Sequence, residues 1–306
     1  MSSRSAGFGT DGQGLARQTK RMPELPEVEA LAAFLSKRAA GRAVAAVWPV
    51  AVNVLKTYDP PPSSLSGLTV GNTVRRGKFL DIDVDGLHLV LHLARAGWLR
   101  WKEQQPTAPP RPGKGPLALR LVLDDGSGFD LTEAGTQKRL AVYLVRDPAQ
   151  VPGVARLGID PLDAAFTPQA LKALLTTRQQ VKGVLTDQSV LAGVGNAYSD
   201  EALWAARLSP FKPAANLDDD EVARLHAAVV DTLTDAVERA RGLASGELKA
   251  EKKSGLAVHG RLGEPCPRCG DTVRQVAFAD KSLQYCPTCQ TGGKPLADRR
   301  LSRLLK

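Results

Sequence analysis

The chain has 306 residues and a formal net charge of +9. That length gives room for two or three domains with cores of their own, and the basic balance favours a polyanionic partner whose phosphates release counterions to Lys and Arg. No apolar run is long enough to span a bilayer and the first residues lack the apolar stretch of a secretory signal, so no membrane partner is expected and a soluble, cytoplasmic protein is.

Residues 1–21 are rich in Ser, Gly, Thr, Gln and Arg without periodicity and read as a disordered leader or a misplaced start. After Met22-Pro23, apolar residues from Val28 to Arg42 recur at helical spacing and stop at Gly41, as in one amphipathic helix. Val74 to Val84, Leu87 to Trp101 and Leu117 to Leu123 alternate like strands. Asp124-Asp125-Gly126 then supplies a hairpin turn before another strand pair that runs through Val145. Prolines and glycines between Pro148 and Asp163 mark a linker. Beyond it Thr167-Pro168 opens a helical region over Pro168–Arg178, Val181–Gln188, Asn196–Ala206 and Asp218–Arg241, and Gly242–Ser254 leads on to the cysteines. The expected class is α+β. Its divisions are a leader over 1–22, a mainly β domain over 23–150, a helical domain over 151–255, a metal ribbon over 256–290 and a basic tail over 291–306.

All four cysteines lie in the ribbon as two pairs, Cys266-x2-Cys269 and Cys286-x2-Cys289, separated by sixteen residues. Two tight knuckles at that spacing close a tetrahedral thiolate site on a single Zn2+. Four cysteinates leave no open position, so the zinc is structural, and Val273–Phe278 can pair with Leu283–Tyr285 above it. The hairpin tip, Asp280-Lys281-Ser282, then offers a cation to a phosphate or a groove.

The run Met22-Pro23-Glu24-Leu25-Pro26-Glu27-Val28-Glu29 sets two prolines and three carboxylates ahead of the helix. Capping and the helix dipole account for Pro26, Glu27 and Glu29 but have no need of Pro23. With Met22 removed, Pro23 carries a secondary amine able to attack an aldehyde and form a cationic imine, with Glu24 beside it for proton transfer.

This start, the stretch Asp187-Gln188-Ser189-Val190-Leu191-Ala192-Gly193-Val194-Gly195-Asn196 and the cysteine ribbon together closely resemble the formamidopyrimidine-DNA glycosylase and endonuclease VIII family, from Pro23 to about Gln290. The resemblance implies an N-terminal β-sandwich with a flanking helix, a helix–two-turn–helix domain and a zinc finger, in a monomer that holds damaged double-stranded DNA between its domains. It implies a bifunctional glycosylase and AP lyase with Pro23 as nucleophile, Glu24 as the acid that protonates the opened sugar, Glu27 as a second acid and Lys78 as the hairpin lysine that engages phosphate and lesion. Asn196, opening a helix whose N–H groups favour a phosphate, and Lys182 match DNA-contacting positions.

Four departures bear on substrate. In His92-Leu93-Ala94-Arg95-Ala96-Gly97, Arg95 stands where the purine-repair branch has a wedge methionine. Thr132-Glu133-Ala134-Gly135-Thr136-Gln137-Lys138-Arg139 replaces that branch's Arg-Arg-Phe-Gly segment. The chain before His259-Gly260-Arg261 is short for a loop over 8-oxoguanine, and Lys281 replaces an arginine at the finger tip. They make 8-oxoguanine a doubtful main substrate and leave the reaction intact. The rival readings are a family member that binds DNA without glycosylase activity, its Pro23 blocked by residues 1–21, and a zinc-ribbon binding module with no enzymatic function.

Overall fold

The computed structural model describes residues 22–111, 113, 115–134, 137–278 and 281–297. Residues 1–21 of the expected leader, residues 298–306 of the tail, Asp280 at the finger tip and residues 135–136 lie outside the described residues.

Helix α1 runs over Leu25–Ala39, one turn earlier at its start than apolar spacing suggests, because Pro26 sits at its first positions and the Glu24 N–H donates to Glu27 Oε2 at 2.8 Å. Its buried stripe is Val28, Leu31, Ala32 and Leu35, and Gly41 takes φ 79° to turn the chain out of it. Eight strands follow: β1 (Val44–Pro49), β2 (Val70–Arg76), β3 (Phe79–Val84), β4 (Leu87–His92), β5 (Gly97–Lys102), β6 (Leu117–Leu123), β7 (Gly128–Glu133) and β8 (Ala141–Val145). Two stretches expected as single strands are hairpins. Val74 to Val84 breaks at Gly77-Lys78, where Gly77 has φ 56°, and Leu87 to Trp101 breaks at residues 93–96, where the Gly97 N–H returns to Leu93 O at 2.9 Å.

The strands form two antiparallel four-stranded sheets, in the orders β1-β6-β7-β5 and β2-β3-β4-β8. Their inner residues, among them Ile82, Leu91, Leu99, Leu119 and Leu131, share one core with the buried face of α1. Each fully buried leucine there stabilises the sandwich by about 1.5–3 kcal/mol.

The second domain holds α2 (Pro152–Ala155), α3 (Pro168–Leu174), α4 (Val181–Thr186), α5 (Asn196–Ala205), α6 (Asp219–Ala240) and α7 (Leu248–Gly255). Thr167 Oγ1 caps α3 by accepting from the Ala170 N–H, and Asp218 with Glu221 forms a capping box at the start of α6. Helix α7 lies in the segment expected only to lead to the cysteines. It docks on the sandwich, with Leu248 fully buried in that core and the Trp98 indole donating to Ser245 O just ahead of it. The ribbon is β9 (Arg274–Ala277) paired with β10 (Ser282–Tyr285), then a short helix α8 (Pro287–Thr291).

The first turn of α1 belongs to the helical domain. Leu25 packs in the helical core and its N–H donates to Gly193 O at 3.0 Å. Arg75 on β2 adds a second tie, donating to Glu29 of α1 and to Asp160 of the linker, each at 2.6 Å. Burial works against its guanidinium, and the two carboxylates compensate strongly enough to hold it above its ordinary range. No helix among the described residues is long and apolar enough to cross a membrane.

Candidate active site and zinc ribbon

Pro23 is buried at the junction of the two cores, and the residues around it carry an unusual concentration of charge. Glu24, Glu27, Lys78 and Lys252 are each no more than 8% exposed. Buried charges persist only when paired and hydrogen-bonded, and here they are. The Glu24 carboxylate accepts the Gly195 N–H at 2.8 Å, the Ala197 N–H at 2.9 Å and the Tyr198 N–H at 3.2 Å. These are the open donors at the start of α5, where the helix dipole favours an anion.

The sequence motif has its physical reason in this clasp. A Cβ at Gly195 would stand 2.3 Å from the Glu24 carboxyl carbon, and one at Gly193, at φ +87°, would stand 2.8 Å from Leu25. Gln188 pins the same loop, accepting from the Gly193 N–H and donating to Val194 O.

Glu27 accepts from the Tyr198 hydroxyl at 2.7 Å and from Lys252 Nζ at 2.7 Å. Lys252 also donates to Met22 O at 3.3 Å, stands 3.8 Å from Glu24 and lies over the Tyr198 ring. These surroundings separate the two carboxyls. Burial by itself would raise Glu24, but Lys252, then Lys78, and the Ala197 N–H outweigh it and hold the group below its ordinary range. For Glu27 burial prevails over Lys252 and the group is raised. Carboxyls pushed apart in this way are suited to different roles. Lys78, at the β2–β3 turn, is lowered by burial and by Lys252 against the pull of Glu24. Neighbouring His92 is lowered to about 4 by burial and then by Lys78.

The ribbon meets the test for one zinc ion. Its four sulfurs lie within 4.8 Å of one another, with Cys266 and Cys289 3.9 Å apart and Cys269 and Cys286 3.4 Å apart, where tetrahedral Zn–S bonds would set about 3.8 Å. The Trp204 indole donates to Cys266 Sγ at 3.3 Å, tying the knuckle to α5 in the manner of an outer partner of a metal ligand. The Asn196 side chain donates to Ser282 O at 2.7 Å and fixes the β-ribbon to the same helix.

Family profiles match three successive parts of this architecture. The formamidopyrimidine-DNA glycosylase N-terminal domain matches residues 22–139, its H2TH domain residues 157–246, and the zinc finger found in FPG and IleRS residues 263–292. The formamidopyrimidine-DNA glycosylase of Geobacillus kaustophilus is 33% identical over 282 residues, covering 88% of this chain and 100% of that one. The chain belongs to the formamidopyrimidine-DNA glycosylase family. An uncharacterized formamidopyrimidine-DNA glycosylase-like protein of Mycobacterium tuberculosis is 55% identical over 158 residues, which is 52% of this chain and 99% of that one. The crystal structure of Lactococcus lactis Fpg with DNA containing an oxidized pyrimidine superposes with a TM-score of 0.78 at 27% identity, covering 88% of this chain and 100% of that one.

Within this family fold the expected site residues fall into three groups. Pro23, Glu24, Glu27 and Lys78 converge on one buried centre. Arg95, at the tip of the β4–β5 turn, and Lys281, at the end of the ribbon, are exposed. Two expected phosphate contacts are occupied inside the protein. Lys182 is 7% exposed and its ammonium donates to Asn196 O, Ser199 Oγ and Asp200 Oδ1, so it binds helix to helix and offers no outward donor. The anion at the start of α5 is the Glu24 carboxylate, and Asn196 turns its amide to the ribbon.

Sequence reasoning passed over Lys252, Tyr198 and Glu201. The last accepts the Ala257, Val258 and His259 N–H groups and so shapes the approach to the ribbon. Leu248 and Lys252, four apart, were the available signal for a helix that buries one face.

Proposed function

We propose that the protein excises oxidised bases from DNA and then cuts the strand through an imine formed by the Pro23 amine. The observation that carries this reading is the buried carboxylate of Glu24, clasped by three backbone N–H groups beside Pro23 and facing two lysines. A proline nitrogen in a peptide bond has no free lone pair, so the active form begins at Pro23. That amine attacks C1′ and the base departs. The ammonium so formed passes its proton to the ionised Glu24, which delivers it to the ring oxygen as the sugar opens.

The resulting cationic imine acidifies the C2′ hydrogens, and loss of one expels the 3′ phosphate by β-elimination. A second elimination releases the 5′ phosphate, and hydrolysis restores the amine. Glu24 remains as the fixed counter-charge of the imine, an anion oriented before the reaction begins. Lys78 meets a phosphate near the lesion, Arg95 fills the gap left by the flipped nucleotide, and Lys281 contacts a phosphate from the ribbon. Lys182 and Asn196 serve DNA binding by holding the helix and ribbon that present those contacts. With Arg95 in place of a wedge methionine, oxidised pyrimidines and abasic sites rank as substrates beside oxidised purines.

Borohydride trapping on abasic duplex DNA tests the reading. Wild-type protein processed to Pro23 should form a covalent adduct at that residue, Glu24→Gln should bind DNA but fail in excision, and Pro23→Gly should keep an amine yet lose most activity. An adduct formed by protein that still carries residues 1–21 would remove Pro23 from the mechanism.

A further inference from the structure

Helix α7 brings one lysine into the centre that the reaction outlined above leaves without a task. Lys252 is 4% exposed, and its ammonium donates to Glu27 Oε2 at 2.7 Å and to Met22 O at 3.3 Å. The Met22 oxygen belongs to the peptide group whose nitrogen is that of Pro23. Oxygen and nitrogen of one amide are about 2.3 Å apart, so the ammonium lies no more than about 5.6 Å from the Pro23 nitrogen, given the 3.3 Å contact. In a chain that begins at Pro23 the carbonyl is gone, and the cation faces the free amine directly.

We propose that Lys252 is a positioning residue that keeps the Pro23 amine unprotonated, and therefore nucleophilic, near neutral pH. The inference rests on the imine reading in that Pro23 is taken as the terminus. A second positive charge at that separation in a buried site disfavours protonation of the amine. The other groups facing the centre are Glu24 at the cap of α1, Glu27 from α1, Lys78 from the β2–β3 turn, Tyr198 from α5, Glu251 from α7 and His259 from the loop before the ribbon. The carboxylates favour a protonated amine. Lys252 and Lys78 oppose them, and Lys252 is the one held against the Met22–Pro23 peptide. Its geometry is fixed by the anchoring of Leu248, one turn earlier, in the sandwich core.

Glu27 is already raised by burial and would take up a proton if Lys252 were removed, cancelling part of the effect. The comparison is therefore made in a Glu27→Gln background. The readout is the protonation of the Pro23 amine itself, followed through its nitrogen resonance by NMR in isotope-labelled protein processed to Pro23. Glu27→Gln/Lys252→Met should titrate about one to two pH units above Glu27→Gln, as expected for one charge at about 5 Å in a medium of intermediate polarity. Glu27→Gln/Lys252→Arg, which keeps the charge, should stay near the Glu27→Gln value.

If the methionine variant does not fold, the wild type alone decides. Its amine must titrate below that of an unstructured peptide of the sequence Pro-Glu-Leu-Pro-Glu. Equal titration of native protein and peptide, equal titration of the Lys252→Met and Lys252→Arg variants, or a borohydride adduct mapped to Lys252 would overturn the proposal. Because the resonance is read without DNA, a protein that never traps on abasic DNA would lose the imine reading while the assignment of Lys252 stood or fell on its own titration.

Discussion

Gly195→Ala adds one methyl group at the point where the polypeptide touches the Glu24 carboxylate. The new Cβ would lie 2.3 Å from the carboxyl carbon and 2.7 Å from Oε1, so the carboxylate must swing away or the start of α5 must shift. Either movement breaks the Gly195 N–H bond of 2.8 Å and lengthens those from Ala197 and Tyr198. A hydrogen bond to a charged group contributes about 1.5–3 kcal/mol, so loss of one and weakening of two costs roughly 3 kcal/mol of orientation at Glu24. If that loss is felt fully in the transition state, base excision slows by about 10²-fold.

The displaced carboxylate also moves relative to Lys252 and Lys78 and loses the Ala197 N–H bond, the contacts that hold it below its ordinary range, so its proton affinity rises. Activity that needs ionised Glu24 should then be lost at a higher pH than in the wild type as the solution is acidified. Single-turnover excision measured across the acid range, with DNA binding followed in parallel, reads both effects. A variant that excises within about threefold of wild type, with its acid limb unmoved, would refute the role assigned to the clasp, because a factor of three is less than about 1 kcal/mol.

Three other outcomes are expected. Chelation of zinc should unfold the ribbon and weaken DNA binding by about tenfold or more while isolated Pro23 chemistry on an abasic sugar persists; metal analysis with unchanged affinity after removal would count against it. Arg95→Ala should slow excision from duplex DNA by about tenfold, in line with stacking worth about 1–3 kcal/mol, and leave single-stranded DNA nearly unaffected. Equal loss on both substrates would move the wedge to residues 132–139.

His92, held neutral down to about 4, takes up its proton near 6.5 in an unfolded chain. Its contribution to stability is thus complete above about 6.5 and is lost as the pH falls towards 4. His92→Phe, which retains a ring against Phe79, should lose about 2 kcal/mol less than wild type between about pH 7 and about pH 5 in thermal denaturation. Identical pH slopes would show that His92 does not sense acid.

Features carried by local chemistry could be read directly from the residues. The cysteine spacing, the Thr167-Pro168 helix start, β6 and the Asp218 cap each depend on neighbours within a few positions. The β2–β3 hairpin was hidden because alternation continues on both sides of Gly77-Lys78, and only a positive φ at the glycine marks the reversal. Helix α7 was hidden because one buried leucine among lysines makes a weak apolar stripe, and Lys252 was hidden with it. At the start of α5 the helix-start signal pointed to a phosphate, whereas in the structure Glu24 takes that place. Its anion comes from a residue 171 positions away, and no local pattern announces a partner at that distance.

The first turn of α1 lies in one core and the remainder of the helix in the other. The two large domains are therefore not interchangeable parts. Cutting the chain in the linker would yield one fragment whose Glu24 carboxylate has no donors, and another with a helix start exposing donors to water. Each piece could keep much of its shape and neither would hold a working centre. Natural exchange of one domain for a relative's would have to match Leu25 to Gly193 and Glu24 to Gly195 across the junction, so the two sides of the clasp are inherited as a single unit.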